Sequence, residues 1–309
     1  MDIINKKSLT RIAIAALFSV FVVALMITSG PVKAAPTTVD LGTASPFAIL
    51  SGTPNITDVG NASVIAGDVG LSPATGAGIG LLCSQVTGTI YSVDATGPLP
   101  CRVTNPSLLV IAKNDLTTAY NDAAGRTPVT TVPTELGGTT LVAGVYDSSS
   151  TTLEITAGAG ALVLDGQNDP SSVFIFQSSF EGTGLIVGPG SSVSLINGAQ
   201  ACNVFWRVDT ASIDTTADFI GTVLALNSIT VANGATIEGR LLARNGNVTL
   251  INDTIIVPVC AGADTSDGVP GFPNTGSIKG SSTVWVVASA LIIIVGLIIA
   301  TTAYKKRLF

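Results

Sequence analysis

An internal repeat of 18 residues constrains this chain more than any other feature of it. When FIGTVLALNSITVANGAT (Phe219 to Thr236) is set above IEGRLLARNGNVTLINDT (Ile237 to Thr254), Gly221 falls on Gly239, Leu224 on Leu242, Ala225 on Ala243, Asn227 on Asn245 and Thr236 on Thr254. A fixed short period marks stacked coils, because so small a unit can bury its inward side chains only against its neighbours. Two similar hairpins of a sandwich are the competing reading of the same alignment. Elsewhere the chain reads as short β runs between Gly, Asn, Asp and Ser, predicted at Phe47 to Ser51, Ser63 to Ala66, Thr152 to Ile155, Ala161 to Leu164, Val173 to Gln177, Ser192 to Ile196, Val204 to Val208 and Val223 to Leu226.

Side chains alternate between the two faces of a strand. In Ser228-Ile229-Thr230-Val231 and Asn247-Val248-Thr249-Leu250 the aliphatic residues take the inner positions, which leaves Ser228, Thr230, Asn247 and Thr249 outside. Ser192 and Ser194 repeat the pattern, as do Thr152 and Glu154. The predicted outer surface is therefore built of short hydroxyl and amide groups, where an ordinary soluble surface displays Lys and Glu. One segment departs from the β pattern. From Pro106 to Ala124, Leu109, Ala112, Lys113, Leu116, Ala119, Tyr120 and Ala123 recur at spacings of three and four, with Asn105 placed to cap, Pro106 in the first turn and Gly125 to end the run. This is a single amphipathic helix whose apolar stripe needs a sheet to lie on.

The two ends read as targeting segments. Lys6, Lys7 and Arg11 precede an uncharged run from Ile12 to Ile27, then Gly30, Pro31 and Val32-Lys33-Ala34. That order predicts a secretory signal peptide over residues 1–35, cut after Ala34 or Ala35. At the other end Thr283 to Tyr304 is uncharged and apolar and is followed at once by Lys305, Lys306 and Arg307, which predicts a membrane-crossing helix with its basic stop on the cytoplasmic side. Just before it, Phe272-Pro273-Asn274-Thr275-Gly276 resembles the Leu-Pro-any-Thr-Gly sorting signal of Gram-positive surface proteins, with Phe272 in place of Leu. The resemblance implies a sortase cut between Thr275 and Gly276 and the joining of Thr275 to cell-wall peptide, the C-terminal helix holding the membrane before processing. The expected organisation is a signal peptide at 1–35, one domain at 36–262, a linker with the sorting motif at 263–275 and an anchor tail at 276–309, placing the domain on a bacterial cell surface or wall.

Of the 14 Lys and Arg, eight lie in these ends, and of the 20 Asp and Glu only Asp2 does, so Pro36 to Thr275 carries six basic and 19 acidic residues. A net charge of −13 excludes the cationic surface that nucleic acid demands. The chain has no histidine, which argues against imidazole catalysis and removes the commonest zinc ligand. Asp165, Asp169 and Glu181, and likewise Asp209, Asp214 and Asp218, are close in sequence but fall in predicted turns, where Asp is a frequent turn former, and not in the converging pairs that glycoside chemistry uses. No enzyme, cofactor or metal site is expected. Cys83, Cys101, Cys202 and Cys260 predict disulfides in an exported domain, and four cysteines allow three pairings. The preferred one joins Cys83 to Cys101 across a Gly- and Pro-rich excursion and Cys202 to Cys260, which ties the last strand back to an earlier turn; a metal reading fails because no Cys-x-x-Cys spacing is present.

FAILSGTPNITDVGNASVIAGDVGLSPATG (Phe47 to Gly76), the helix after it, GVYDSSSTTLEI (Gly144 to Ile155), NDPSSVFIFQ (Asn168 to Gln177), NGAQACNVFWRV (Asn197 to Val208) and IEGRLLA (Ile237 to Ala243) together resemble the microbial ice-binding protein family over nearly the whole exported part. The resemblance implies a mostly β fold, a discontinuous right-handed β-solenoid of triangular section with one long α-helix packed alongside and the N-terminal strands stacked beside C-terminal ones. It also implies a flat outer face that adsorbs to an ice crystal surface and limits ice growth or recrystallisation. Some members repeat a Thr-Ala/Gly-x-Thr/Asn motif on that face, and this chain does not repeat it. The expected ice contacts are Thr53, Thr57, Ser63, Thr230, Thr236, Thr249 and Thr254, short polar residues on predicted outer strands or coil edges. The alternative is a wall-anchored adhesin or surface scaffold that binds a glycan or protein partner, for which exposed aromatic residues and a groove are expected. The Phe, Trp and Tyr of this chain sit mainly in apolar runs.

Overall fold

In a computed structural model of the protein, residues 36–148, 150–178 and 184–260 are described. The predicted signal peptide, linker, sorting motif and apolar tail lie outside them. The chain visits three sides in turn, and each strand pairs in parallel with strands of the coils beside it. Phe174–Gln177, Leu185–Val187 and Val193–Ile196 make up one such coil. In the next two, the third and first sides are joined in single eight-residue strands, Asp218–Ala225 and Thr236–Ala243. Gly221 and Gly239 lie in register within them. Gly221 has φ +119°, and a Cβ there would stand 2.7 Å from Trp206 Nε1, while a Cβ on Gly239 would strike the Gly221 carbonyl oxygen at 1.9 Å. Only glycine fits either position.

The first side is a path of ten strands running from Arg102–Thr104 through Phe47–Ser51 and Thr236–Ala243 to Val129–Val132. Its order is not the chain order. Phe47–Ser51 pairs with Thr236–Ala243 through Ile49 to Leu241 and Leu50 to Leu242, and on its other edge with Asp68–Leu71, so the N-terminal coils extend the stack beyond the C-terminal ones, as the family resemblance implies. The 18-residue repeat holds where Gly221 meets Gly239, Leu224 meets Leu242 and Thr236 meets Thr254. On the second side it slips by one, with Ile229 opposite Val248 and Thr230 opposite Thr249. The extra residue enters at the corner Arg244 to Asn247 and is recovered before Thr254. Parallel pairing throughout rules out the hairpin reading, since a hairpin joins antiparallel strands.

Inward side chains fill the space between the sides, among them Ile213, Phe219, Ile229, Val231, Val248 and Leu250. Tyr146, Phe176 and Trp206 stack through three adjacent coils, with ring centroids 5.5 and 4.0 Å apart, and the Trp206 indole N–H is satisfied by Ile220 O at 3.0 Å.

Helix α1 spans Pro106–Gly125, and the Asn105 side chain accepts the Leu108 N–H at 3.1 Å. It leaves one end strand of the first side, Arg102–Thr104, and delivers the chain to the other, Val129–Val132. Ten strands at sheet spacing cover about 43 Å, and 20 helical residues about 30 Å, so a straight helix with short flanks makes the crossing. Its Leu109, Ala112, Leu116, Ala119, Tyr120 and Ala123 pack on Phe47, Leu50, Ile175, Phe205, Leu224 and Leu242. Lys113 Nζ donates to Ala243 O at 2.7 Å and Arg244 O at 2.6 Å, and the Arg207 and Arg244 guanidiniums lie 4.5 and 4.7 Å from the Tyr120 ring centre. The preferred disulfides are present: Cys83 with Cys101, Cα atoms 5.6 Å apart, and Cys202 with Cys260, 5.9 Å apart.

Candidate functional site

The helix covers the first side and leaves the second uncovered by it. That second side is a parallel sheet of seven short strands in the order Leu153–Ile155, Leu185–Val187, Ala211–Ile213, Ile229–Val231, Val248–Leu250, Ile56–Asp58 and Ile79–Gly80. A three-residue strand that buries its first and last side chains has one left to point outward. The outward residues line up in register as Glu154, Ile186, Ser212, Thr230, Thr249, Thr57 and Gly80. Ser212 and Thr230 are exposed, Thr249 and Thr57 half-buried. From Ser212 to Thr57 the row carries hydroxyls and no charge, with neighbours about 4.8 Å apart across the sheet.

Two positions ahead along each strand stand Ser228, Asn247 and Asn55. Ser228 Oγ donates to Asn247 Oδ1 at 2.8 Å, Asn247 Nδ2 donates to Thr249 Oγ1 at 2.9 Å, and Thr57 Oγ1 donates to Thr249 Oγ1 at 3.4 Å.

Of the seven residues expected to make the contact, Thr57, Thr230 and Thr249 come together in this row. Thr236 and Thr254 are in register with each other on the third side, flanked by Asp218 and Val64. The adjoining row there mixes Ile220, Glu238 and Ile256. Thr53 lies beyond the strand end, where its N–H and Oγ1 both donate to Asn245 O, at 2.7 and 3.0 Å, so its hydroxyl proton ties two coils together. Ser63 is a correction. The strand begins at Val64, which is 54% exposed, and Ser63 is 1% exposed. Its hydroxyl donates to Asp58 Oδ1 at 2.8 Å and accepts the Asp253 N–H at 2.9 Å, an interior bond that an outward residue does not make.

Sequence reasoning missed Ser212, because Ala211–Ile213 was not among the predicted strands. The signal was present, since Ser212 lies one 18-residue period before Thr230, its register partner.

Of the aspartates close in sequence, Asp165, Asp169 and Asp214 act as turn formers, whereas Asp218, expected in a turn, opens the strand Asp218–Ala225. Asp165 accepts from Gln167 N at 2.8 Å and Asn197 Nδ2 at 2.9 Å. Asp169 accepts from Ser171 Oγ at 2.6 Å and Ser171 N at 2.8 Å, which hold its carboxyl below the usual range. Asp209 accepts from Asn227 Nδ2, and Asp214 from Thr215 N, each at 2.6 Å. Glu181 lies outside the described residues. Among the described residues no three His, Cys, Asp or Glu converge on a possible metal position, and no helix is long and apolar enough to cross a membrane.

The family model for ice-binding-like proteins matches residues 49–256. The chain is similar to an ice-binding protein of a Colwellia species, with 43% identity over 235 residues, 74% of this chain and 88% of the relative. An ice-binding protein of Flavobacterium frigoris (strain PS1) is 41% identical over 224 residues, 71% of this chain and 76% of the relative. Among solved structures, an ice-binding protein from an Antarctic biological consortium superposes with a TM-score of 0.62 at 38% identity, covering 75% of this chain and 97% of that one. An ice-binding protein from an Arctic yeast gives 0.62 at 30% identity, covering 72% and 96%. With the family model matching residues 49–256 and relatives 43% and 41% identical covered over most of their own length, the chain belongs to the ice-binding-like family.

Proposed function

We propose that this protein adsorbs to ice through its seven-stranded sheet and so limits ice growth or recrystallisation. The sheet is read as the flat outer face of a right-handed solenoid of triangular section. The observation that carries the proposal is the uncovered, uncharged row Ser212, Thr230, Thr249 and Thr57, four in-register positions on adjacent strands. Hydroxyls about 4.8 Å apart across strands, with Ser228, Asn247 and Asn55 roughly 6.7 Å ahead of them along the strands, form an array of short polar groups that orders water. The stiff χ1 of threonine keeps the entropy lost on contact small. The third side is a poorer surface, since Asp218 and Glu238 there hold their own hydration beside Ile220 and Ile256. Family membership and the named relatives support the reading.

The test is thermal hysteresis and recrystallisation inhibition by the purified protein and two variants. Thr230→Tyr sets a bulky ring on the row and is expected to lower hysteresis several-fold with the melting temperature unchanged, whereas Thr236→Tyr on the third side keeps it. An inactive parent protein, or a Thr230→Tyr variant as active as the parent, ends the proposal.

The site of action is read as a bacterial cell surface, with export directed by residues 1–35 and wall attachment at Thr275 after cleavage within Phe272-Pro273-Asn274-Thr275-Gly276. Mass spectrometry of wall digests is expected to find Thr275 linked to wall peptide. A chain recovered with Gly276 still attached would remove that part of the reading.

A further inference from the structure

The hydroxyls of the uncharged row are not equivalent. A threonine hydroxyl offers one proton and two lone pairs. Thr249 Oγ1 accepts from Asn247 Nδ2 at 2.9 Å and from Thr57 Oγ1 at 3.4 Å, so both lone pairs are engaged and only its proton remains to be given. Thr57, having donated to Thr249, is left with lone pairs. Thr230 makes no side-chain hydrogen bond among the described residues and its hydroxyl is free to turn.

Asn247 is itself held. Its Oδ1 accepts from Ser228 Oγ on the next coil at 2.8 Å, which ties the amide to that coil with Nδ2 toward Thr249. The local sequence makes this contact possible. The extra residue at the corner Arg244 to Asn247 shifts the second side out of the 18-residue register, and it sets Gly246 where a Cβ would lie 2.3 Å from Ser228 Oγ. Only glycine lets the two coils approach closely enough for the Ser228 to Asn247 bond.

From this arrangement we infer that Asn247 is a positioning residue, which orients the Thr249 hydroxyl as a fixed donor toward the bound water layer. The row then presents an acceptor at Thr57, a donor at Thr249 and a free rotor at Thr230, in place of three interchangeable groups. The inference rests on the proposed contact through this sheet. Its ligand is a lattice water with its oxygen turned to the protein, and a donor already fixed gives up no rotational freedom when that water arrives.

A double-mutant cycle on the whole protein tests it, with thermal hysteresis as the readout and the melting temperature as the control for folding. Asn247→Ala and Thr249→Val are each expected to lower hysteresis about two-fold, and the double variant to be no weaker than Thr249→Val, because the amide acts only through that hydroxyl. Ser228→Ala, which loosens the amide without altering the corner, is expected to show the same coupling to Thr249→Val, and it serves if Asn247→Ala melts early. Additive losses, or an Asn247→Ala protein as active as the parent, overturn the inference. Thr230→Tyr separates the two layers: full hysteresis in that variant removes the sheet contact and this inference with it. Loss of hysteresis in Thr230→Tyr beside an unaffected Asn247→Ala removes the inference alone.

Discussion

Asp253 and Ser63 show what a polar side chain does when the coil turns it inward. Asp253 is 1% exposed and accepts from Ala235 N at 3.0 Å and Ile251 N at 2.8 Å. Burial nevertheless pushes its carboxyl up to about 6. Asp58 lies close by and goes the other way: burial raises it, but the bonds from Ser63, Gln85 and Asn252 outweigh burial and hold it below the usual range. The native state thus keeps a proton on Asp253 between pH 4 and 6 that the unfolded chain has released, so its contribution to stability falls as pH rises through that window. A shift from 3.8 to about 6 is on the order of 2–3 kcal/mol. Asp253→Asn removes that dependence, and melts at pH 4 and pH 7 are expected to show the parent gaining on the variant at the lower pH; a constant difference would contradict it. Comparison with the variant cancels the opposite trend of Asp58 and Asp169. At this scale alternation made Thr230 and Thr249 legible, because each lies between two β-branched or aliphatic residues. It misplaced Ser63 because Asn61-Ala62-Ser63 offers no alternation to set the phase, and the strand starts one residue later.

Helix α1 was legible almost to its ends, since 20 residues give the three-and-four spacing room to repeat and Asn105-Pro106 marks the start. Two five-residue strands, Phe47–Ser51 and Val204–Val208, fall on their predicted limits, whereas the eight-residue Asp218–Ala225 is predicted only at its end, as Val223 to Leu226, and Gly144–Ser148 and Thr236–Ala243 are not predicted as strands. Ile79–Gly80, Val86–Thr87 and Ala211–Ile213 were not legible, because two or three residues contain too little alternation to stand out from a turn. What identifies such strands is their neighbour in the stack, which only the repeat reveals. The helix also carries much of the stability of the first side. Leu116 is fully buried between α1 and the sheet, so Leu116→Ala is expected to cost 2–5 kcal/mol in denaturant unfolding, about what a buried leucine loses with its cavity. Since α1 lies on a different side from the uncharged row, hysteresis measured well below the melting point is expected to be retained. A loss under those conditions would mean that the two sides are coupled.

At the scale of the molecule, two covalent ties secure the stack. The Cys202–Cys260 bond closes a loop of 58 residues and fastens the last described residue to an earlier coil. Replacing both cysteines by serine is expected to lower stability by about 2–5 kcal/mol, read as an earlier midpoint in denaturant; an unchanged midpoint would show that coil stacking alone holds that end. The stacking order was the least legible part of the fold in residue patterns alone, because nothing in the spacing of Phe47 to Ser51 names its partner; the family resemblance supplied it. Thr57 meets Thr249 across 192 residues of sequence, and Ile49 and Leu50 meet Leu241 and Leu242. A chain emerging from its N-terminus therefore cannot finish the edge it makes first. That edge stays bare until Thr236–Ala243 has been synthesised, so the first coils to be made are the ones that must wait for later coils before they can take their place.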